Sequence, residues 1–281
     1  LERALAIDER EHGKDSTRVA DTLTNLGIAY GKLDDQAKKR DMLERALAIK
    51  VWAYGHDHVN VAQTLMNLGN AYMGLGDYAK QRDVLERALP IMEREHGKDS
   101  TDVANVLNTL GTAHASLGEH AKARDLYERA LAITGREHGK DSTEVAVVLG
   151  NLGCAYGALG DYAKKRDMLE RALAIKERTY GRDHPDVADT LNNLGNAYGT
   201  LGDHAEKRDI LERALAIDER AYGRDHPEVA QTLTNLGNAY GALGDTAKQR
   251  DILMRALAIN EREYGSDSTQ VALTLTNLGN A

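Results

Sequence analysis

The chain is 281 residues long, 42% hydrophobic and 28% charged, rich in Leu and Ala, with three Pro and no Phe. That composition excludes a disordered or membrane-spanning chain and favours long helices over a β-rich fold. A net charge of −8 disfavours nucleic acid as a partner, because a phosphate backbone wants a basic face.

The lone cysteine, Cys154, cannot form an intrachain disulfide, so nothing points to an oxidising compartment. No apolar run approaches the roughly 18–20 residues of a membrane span, and no signal-peptide pattern opens the chain. A cytoplasmic, intracellular setting without membrane contact is expected.

From the first residue the chain repeats itself every 42 residues. "LERALAI" begins at Leu1 and Leu43, "LERALPI" at Leu85, "YERALAI" at Tyr127, "LERALAI" at Leu169 and Leu211, and "LMRALAI" at Leu253. Gly27, Gly69, Gly111, Gly153, Gly195, Gly237 and Gly279 keep the same register, so six full periods and 29 residues of a seventh fill the chain without insertion. Each period reads as a helix of about 15 residues, a tight turn, and a helix of about 19.

Within this frame the elements follow in order. Trp52, the only Trp, is expected to cover the end of a second helix. "GHDHV" at 55–59 places His56 and His58 in a connector without a third ligand nearby, which argues against a metal. Pro90 lies inside a second helix and should kink or shorten it. Gly135 should loosen a helix end. Asp141-Ser142-Thr143 supplies a good N-cap. "RDMLER" at 166–171 offers Arg166–Glu170 and Asp167–Arg171 as solvated i,i+4 pairs. In 183–223, Pro185 suits a first turn, and Leu191, Leu194 and Tyr198 form an apolar stripe. Gly202 and Asp203 break and cap, and Leu211, Ala214 and Leu215 continue. His12, His96 and His138 alternate with Tyr54, Tyr180, Tyr222 and Tyr264 at one position, which marks a packing aromatic. Leu1 and Ala281 both fall inside helices without caps, so the expectation is a continuous array over 1–281 that is a segment of a longer one.

"LNNLGNAYGTLGDHAEKRDILERAL" at 191–215 resembles the tetratricopeptide repeat, with its Leu-Gly-x-x-Tyr, its turn Gly and its Ala-Leu. The 42-residue period and the "GRDHPDVA" linker resemble the kinesin light chain and nephrocystin subtype. The resemblance implies an all-α, right-handed superhelical solenoid of antiparallel helix pairs, with first helices lining a concave groove. One departure stands out. Where the family usually has a small residue in the second helix, this chain has Lys39, Gln81, Lys165, Lys207 and Gln249, and only Ala123 fits. A slight rotation of that helix is the expected consequence.

With Leu191, Leu194 and Tyr198 turned inward, a second stripe runs through 189, 193, 196 and 200. One of its rows reads Asn25, Asn67, Thr109, Asn151, Asn193, Asn235 and Asn277; the next reads Ile28, Asn70, Thr112, Cys154, Asn196, Asn238 and Asn280. Asn192 lies beside them. A carboxamide donates and accepts at once, so it can clasp a peptide bond whatever side chain follows. Helices packed roughly 10 Å apart would meet an extended guest, at about 3.3 Å per residue, every third residue or so. The resemblance implies that Asn here holds extended peptide cargo. The alternative is that these amides bond to one another between repeats. A further row, Gly31, Met73, Ala115, Gly157, Gly199 and Gly241, is mostly small and should leave room for guest side chains.

No phosphate-cradling loop, metal set or paired nucleophile is evident, so neither an enzyme nor a cofactor is expected. Two readings remain: a scaffold that binds a protein or peptide ligand, and a structural spacer that self-associates through uncapped ends.

Overall fold

A glycine faces a large side chain once in every repeat, and that crossing sets the fold. In the computed structural model, which describes residues 1–279, an added Cβ at Gly195 would lie 3.0 Å from Leu211 Cγ, and at Gly237 2.7 Å from Leu253 Cγ. Gly27, Gly69 and Gly153 meet Leu43, Leu85 and Leu169 in the same way, and Gly111 meets Tyr127. Helix pairs built on these crossings form two compact units, Leu1–Lys140 and the chain from Asp141 onward.

The first unit contains α1 (Glu2–His12), α2 (Thr17–Lys32), α3 (Gln36–Tyr54), α4 (Val59–Gly74), α5 (Tyr78–His96), α6 (Thr101–Ser116) and α7 (His120–Glu137). The second contains α8 (Thr143–Ala158), α9 (Tyr162–Tyr180), α10 (Pro185–Leu201), α11 (His204–Tyr222), α12 (Pro227–Ala242), α13 (Thr246–Tyr264) and α14 (Thr269–Gly279). Each even helix packs on the odd helix that follows it, and within each unit that odd helix packs on the next even one. This is the all-α solenoid of antiparallel helix pairs that the period predicts.

Helix starts follow the residues available. Ser16, Ser100 and Ser142 accept from the backbone N–H three residues on. Where the linker ends in His, the imidazole takes over: Nδ1 of His58, His184 and His226 accepts from Asn60, Asp186 and Glu228 N–H. Each of these rings stacks on a preceding tyrosine, Tyr54, Tyr180 or Tyr222, at 4.6–5.0 Å between centroids. Asp35, Asp77, Asp161 and Asp245 cap second helices through their side chains, whereas Asp203 occupies that position without a side-chain bond. Gly202 takes the left-handed backbone the turn requires, at φ 90°. Pro90 neither ends nor shortens α5, which runs its full 19 residues. Buried Ala88, Ile91 and Met92 hold that turn against the missing hydrogen bond. The helix that carries Gly135 stops at Glu137, one residue shorter than most second helices.

The core is built repeat by repeat. Val187, Ala188 and Leu191 of α10 bury against Ala214 and Ile217 of α11, and Leu173 of the preceding α9 closes the cluster. Each fully buried aliphatic side chain contributes about 1.5–3 kcal/mol. Polar ties add register. The Tyr72 hydroxyl donates to Glu44 of the previous repeat at 2.5 Å, and Tyr30, Tyr198 and Tyr240 reach Glu2, Glu170 and Glu212 likewise. Glu170 is thus engaged by the next repeat, while Arg166 binds mainly its neighbour Asp167, at 2.7 Å against 3.9 Å to Glu170.

Curvature has a direct sign. Even helices of adjacent repeats touch, α2 with α4 and α4 with α6 in the first unit, and α8, α10, α12 and α14 in succession in the second. Among the described residues the backbones of odd helices stay further apart and meet only through long side chains, as in the Arg45–Glu9 and Arg213–Glu177 ion pairs. Each unit therefore bends toward its even helices. Gly237→Ala should overpack against Leu253 and lower stability by about 1–3 kcal/mol. Gly199→Ala should cost less, because the flexible Lys207 stem it meets can swing away. Thermal midpoints of the two variants compare the effects, and equal losses would contradict the packing account.

Candidate functional site

The even helices carry every sequence-predicted amide among the described residues, and none of these is buried. Asn280 lies outside the described residues. The side-chain amides of Asn25, Asn67, Asn70, Asn193, Asn196, Asn238 and Asn277 make no hydrogen bond to the described protein. Asn192 and Asn235 differ. Asn192 Nδ2 donates to Thr232 Oγ1 at 2.8 Å, and Asn235 Nδ2 reaches Asn192 Oδ1 at 3.5 Å. Inter-repeat bonding therefore describes this pair between α10 and α12, and Asn151 also has an interaction of its own. In the second unit the first row runs Asn151, Asn193, Asn235 and Asn277. In the first unit Asn25 and Asn67 are followed by Thr109, whose hydroxyl turns back to the Asn105 carbonyl of its own helix.

Asp189 and Cys154 are open to solvent, yet both are pushed up by desolvation, with Lys176 and Lys165 respectively offsetting part of it. Burial also pulls the Lys39 and Lys207 ammonium groups down. Beside Gln231, Thr234 and Asn235, a cavity of about 270 Å³ extends to Asn260, Tyr264 and Leu273.

The expected room beside the amides is already taken. A Cβ at Gly31, Gly157 or Gly199 would lie 2.9, 2.6 or 2.7 Å from Cδ of Lys39, Lys165 or Lys207, and at Gly241 2.6 Å from the Gln249 carboxamide. The glycines thus accommodate the long side chains that replace the family's small residue. Where Met73 stands instead of glycine, Gln81 is wholly buried and its carboxamide has no partner.

A second row of interior side chains escaped the sequence reading. Asp8, Lys50, Thr134, Asp218 and Asn260 share one register and are all buried on odd helices. Asp8 accepts from Thr22 Oγ1 at 2.6 Å and pairs with Arg18 at 2.8 Å, and these bonds hold its carboxyl low. Lys50 pairs with Asp21 at 3.1 Å. Asp218, 4% exposed, accepts from Thr232 Oγ1 at 2.7 Å but has no cation beside it. Burial pushes its carboxyl up to about 6, the Thr232 bond opposes this, and the charge of Asp189 adds to it. Asn260 makes the equivalent contact to Thr274 Oγ1 at 3.1 Å without any charge. The signal was available: a residue after each "ALAI" that alternates among Asp, Lys, Met, Thr and Asn marks an interior position with changing partners.

Among the described residues no group of three or more His, Cys, Asp or Glu could hold a metal ion, and no helix is long and apolar enough to cross a membrane.

The family model described as tetratricopeptide repeat matches residues 1–51, 40–94, 60–136, 102–177 and 144–206, and a second model of that description matches 187–228 and 229–270. No curated protein matches the sequence. Among solved structures the chain is similar to BtubC (BKLC) from P. vanneervenii, at 24% identity and TM-score 0.68 over 83% of this chain and 94% of that one. It is similar to a putative kinesin light chain from Podosopora anserina with nearly identical TPR-like repeats, at 22% identity and TM-score 0.64 over 74% and 98%. It is also similar to the apo quorum sensor NprR from B. thuringiensis, at 16% identity and TM-score 0.74 over 96% and 72%. At these identities the likeness is one of fold.

Asp218 makes stability depend on pH with a definite sign. Its folded value lies above that of an unfolded aspartate, near 4. The native state therefore keeps the proton between about pH 4 and 6, and stability falls as pH rises through that window. Asp218→Asn should raise stability at pH 7 by about 1–3 kcal/mol and flatten the profile below pH 6. Thermal melts at stepped pH measure this, and a lowered midpoint at pH 7 would contradict it.

Proposed function

The chain belongs to the tetratricopeptide repeat family, and we propose that its even-helix amides clasp the main chain of an extended peptide. The repeat itself is a non-catalytic scaffold for protein interaction; the peptide and the amide rows are the finer reading. What carries it is the set of side-chain carboxamides on even helices, Asn25, Asn67, Asn70, Asn193, Asn196, Asn238 and Asn277, that have no partner in the described protein, although the repeats carrying Thr109 and Asn151 contribute none. Structural glue would be expected to spend its hydrogen bonds on neighbours, as Asn192 does with Thr232.

Magnitudes limit what the amides can do alone. A net hydrogen bond contributes about 1 kcal/mol, whereas micromolar binding needs about 8 kcal/mol. Apolar contacts must supply the remainder. Ile28 in one row, and Val147 and Leu273 in the row beside it, are exposed apolar side chains within the polar stripe at 40%, 51% and 60%. Sequence preference then comes from the positions that vary between repeats: Asp189, Gln231, Asn105 and Val147 in one row, and Thr24, Met66, Asn108 and Thr234 in another.

The test uses amides without internal partners. A peptide selected by display against the intact chain should bind the Asn193→Ala/Asn196→Ala/Asn238→Ala variant more than about tenfold more weakly, since each lost bond removes about 1 kcal/mol. Far-UV circular dichroism should be unchanged. Affinity within twofold of the parent would reject the amide clasp.

A further inference from the structure

Five ties between repeats share one design. An arginine near the end of an odd helix reaches back 37 residues to the aspartate of the preceding connector. Arg136 grips the Asp99 carboxylate with both terminal nitrogens, at 2.9 and 3.2 Å. Arg178 takes the Asp141 carboxylate at 3.4 Å and its carbonyl at 2.9 Å. Arg220 binds Asp183 at 2.6 Å, Arg262 binds both the carboxylate and carbonyl of Asp225, and Arg94 binds the Asp57 carbonyl.

One repeat breaks the pattern. Trp52 stands where the arginine belongs, and the aspartate it would serve, Asp15, has no hydrogen bond or ion pair among the described residues. Trp52 is 81% exposed, so it does not cover a helix end as its position suggests. Beside it opens a cavity of about 470 Å³ lined by Asp15, Arg45, Ala48, Ile49 and Trp52. Arg45 does not occupy the vacancy. It is committed to Glu9 at 2.6 Å and to the Lys14 carbonyl at 3.3 Å. Arg129 makes the same pair of contacts, to Glu93 and the Lys98 carbonyl, while Arg136 clasps Asp99 alongside. A second guanidinium therefore fits next to this arginine.

We propose that this notch receives an arginine side chain from a partner protein. Asp15 takes the guanidinium in the manner of its equivalents, and the Trp52 indole covers the flat cation. Arginine fits better than lysine because its planar fork can bind a carboxylate edge and stack on a ring at once. The five internal ties are exposed, and exposed pairs are individually weak. The notch is therefore an anchor point in a wider contact, with the aromatic-plus-arginine chemistry enriched at interface centres.

Because Trp52 is the only tryptophan, its fluorescence reports on this site alone. The probe is N-acetyl-arginine amide, titrated at low salt, with the lysine and citrulline amides as controls. Saturable change is expected with arginine, affinity about threefold or more weaker with lysine, and no saturation with neutral citrulline. Asp15→Asn, at an exposed position without internal contacts, should weaken the arginine response about fivefold or more. An unchanged response in that variant, or citrulline matching arginine, overturns the proposal. If concentrating the protein alone changes Trp52 emission and Asp15→Asn abolishes that change, a second copy fills the notch and the separate partner is overturned.

Discussion

The distance between the two helices of each repeat is fixed where a glycine meets a leucine or tyrosine sixteen residues later. Glycine is a poor helix former, worse than alanine by about 1 kcal/mol. It stays because any Cβ there would come within 3.2 Å of the facing side chain. Close crossing lets Leu191 and its counterparts bury fully, and burial of several such side chains per repeat outweighs the local backbone penalty. Neither helix has a core of its own. The crossing is therefore the condition for having a repeat, and the repeat is the condition for having an inner face.

Much of this was legible in the sequence because it depends on local chemistry. Period, helix lengths, the left-handed turn at Gly202, the serine caps and the proline starts all come from residues a few positions apart. What was not legible depends on side chains that meet across elements. Lys207 sits in the gap at Gly199, which no local spacing announces. Glu170 reads as half of a surface pair until Tyr198 arrives from the next repeat. Asp218 becomes an interior charge only when α12 packs over it. Local periodicity shows which face a residue occupies; it does not show what the neighbouring repeat brings to that face.

The repeats hold two kinds of polar group under different constraints. The amides of the even helices are uncharged, so surroundings that penalise ions leave them comparatively untouched. The buried charged residues of the odd helices are sensitive to that penalty, and each repeat resolves the conflict differently. Asp8 has both a hydroxyl and a guanidinium, Lys50 has a carboxylate, and Asp218 has the Thr232 hydroxyl and the Asn192 amide but no cation. A face of amides can therefore recur repeat after repeat, whereas a face of buried charges must be solved anew each time.

Every tie described within a unit joins a repeat only to the one beside it: the tyrosine to the previous glutamate, the arginine to the previous connector, the even helix to the next. A chain held in this way has no long-range strut. Tension along either unit would thus be borne in series, each interface carrying the full load and yielding on its own. Such a body is a compliant spring, able to lengthen under force and close again without giving up the crossings inside its repeats.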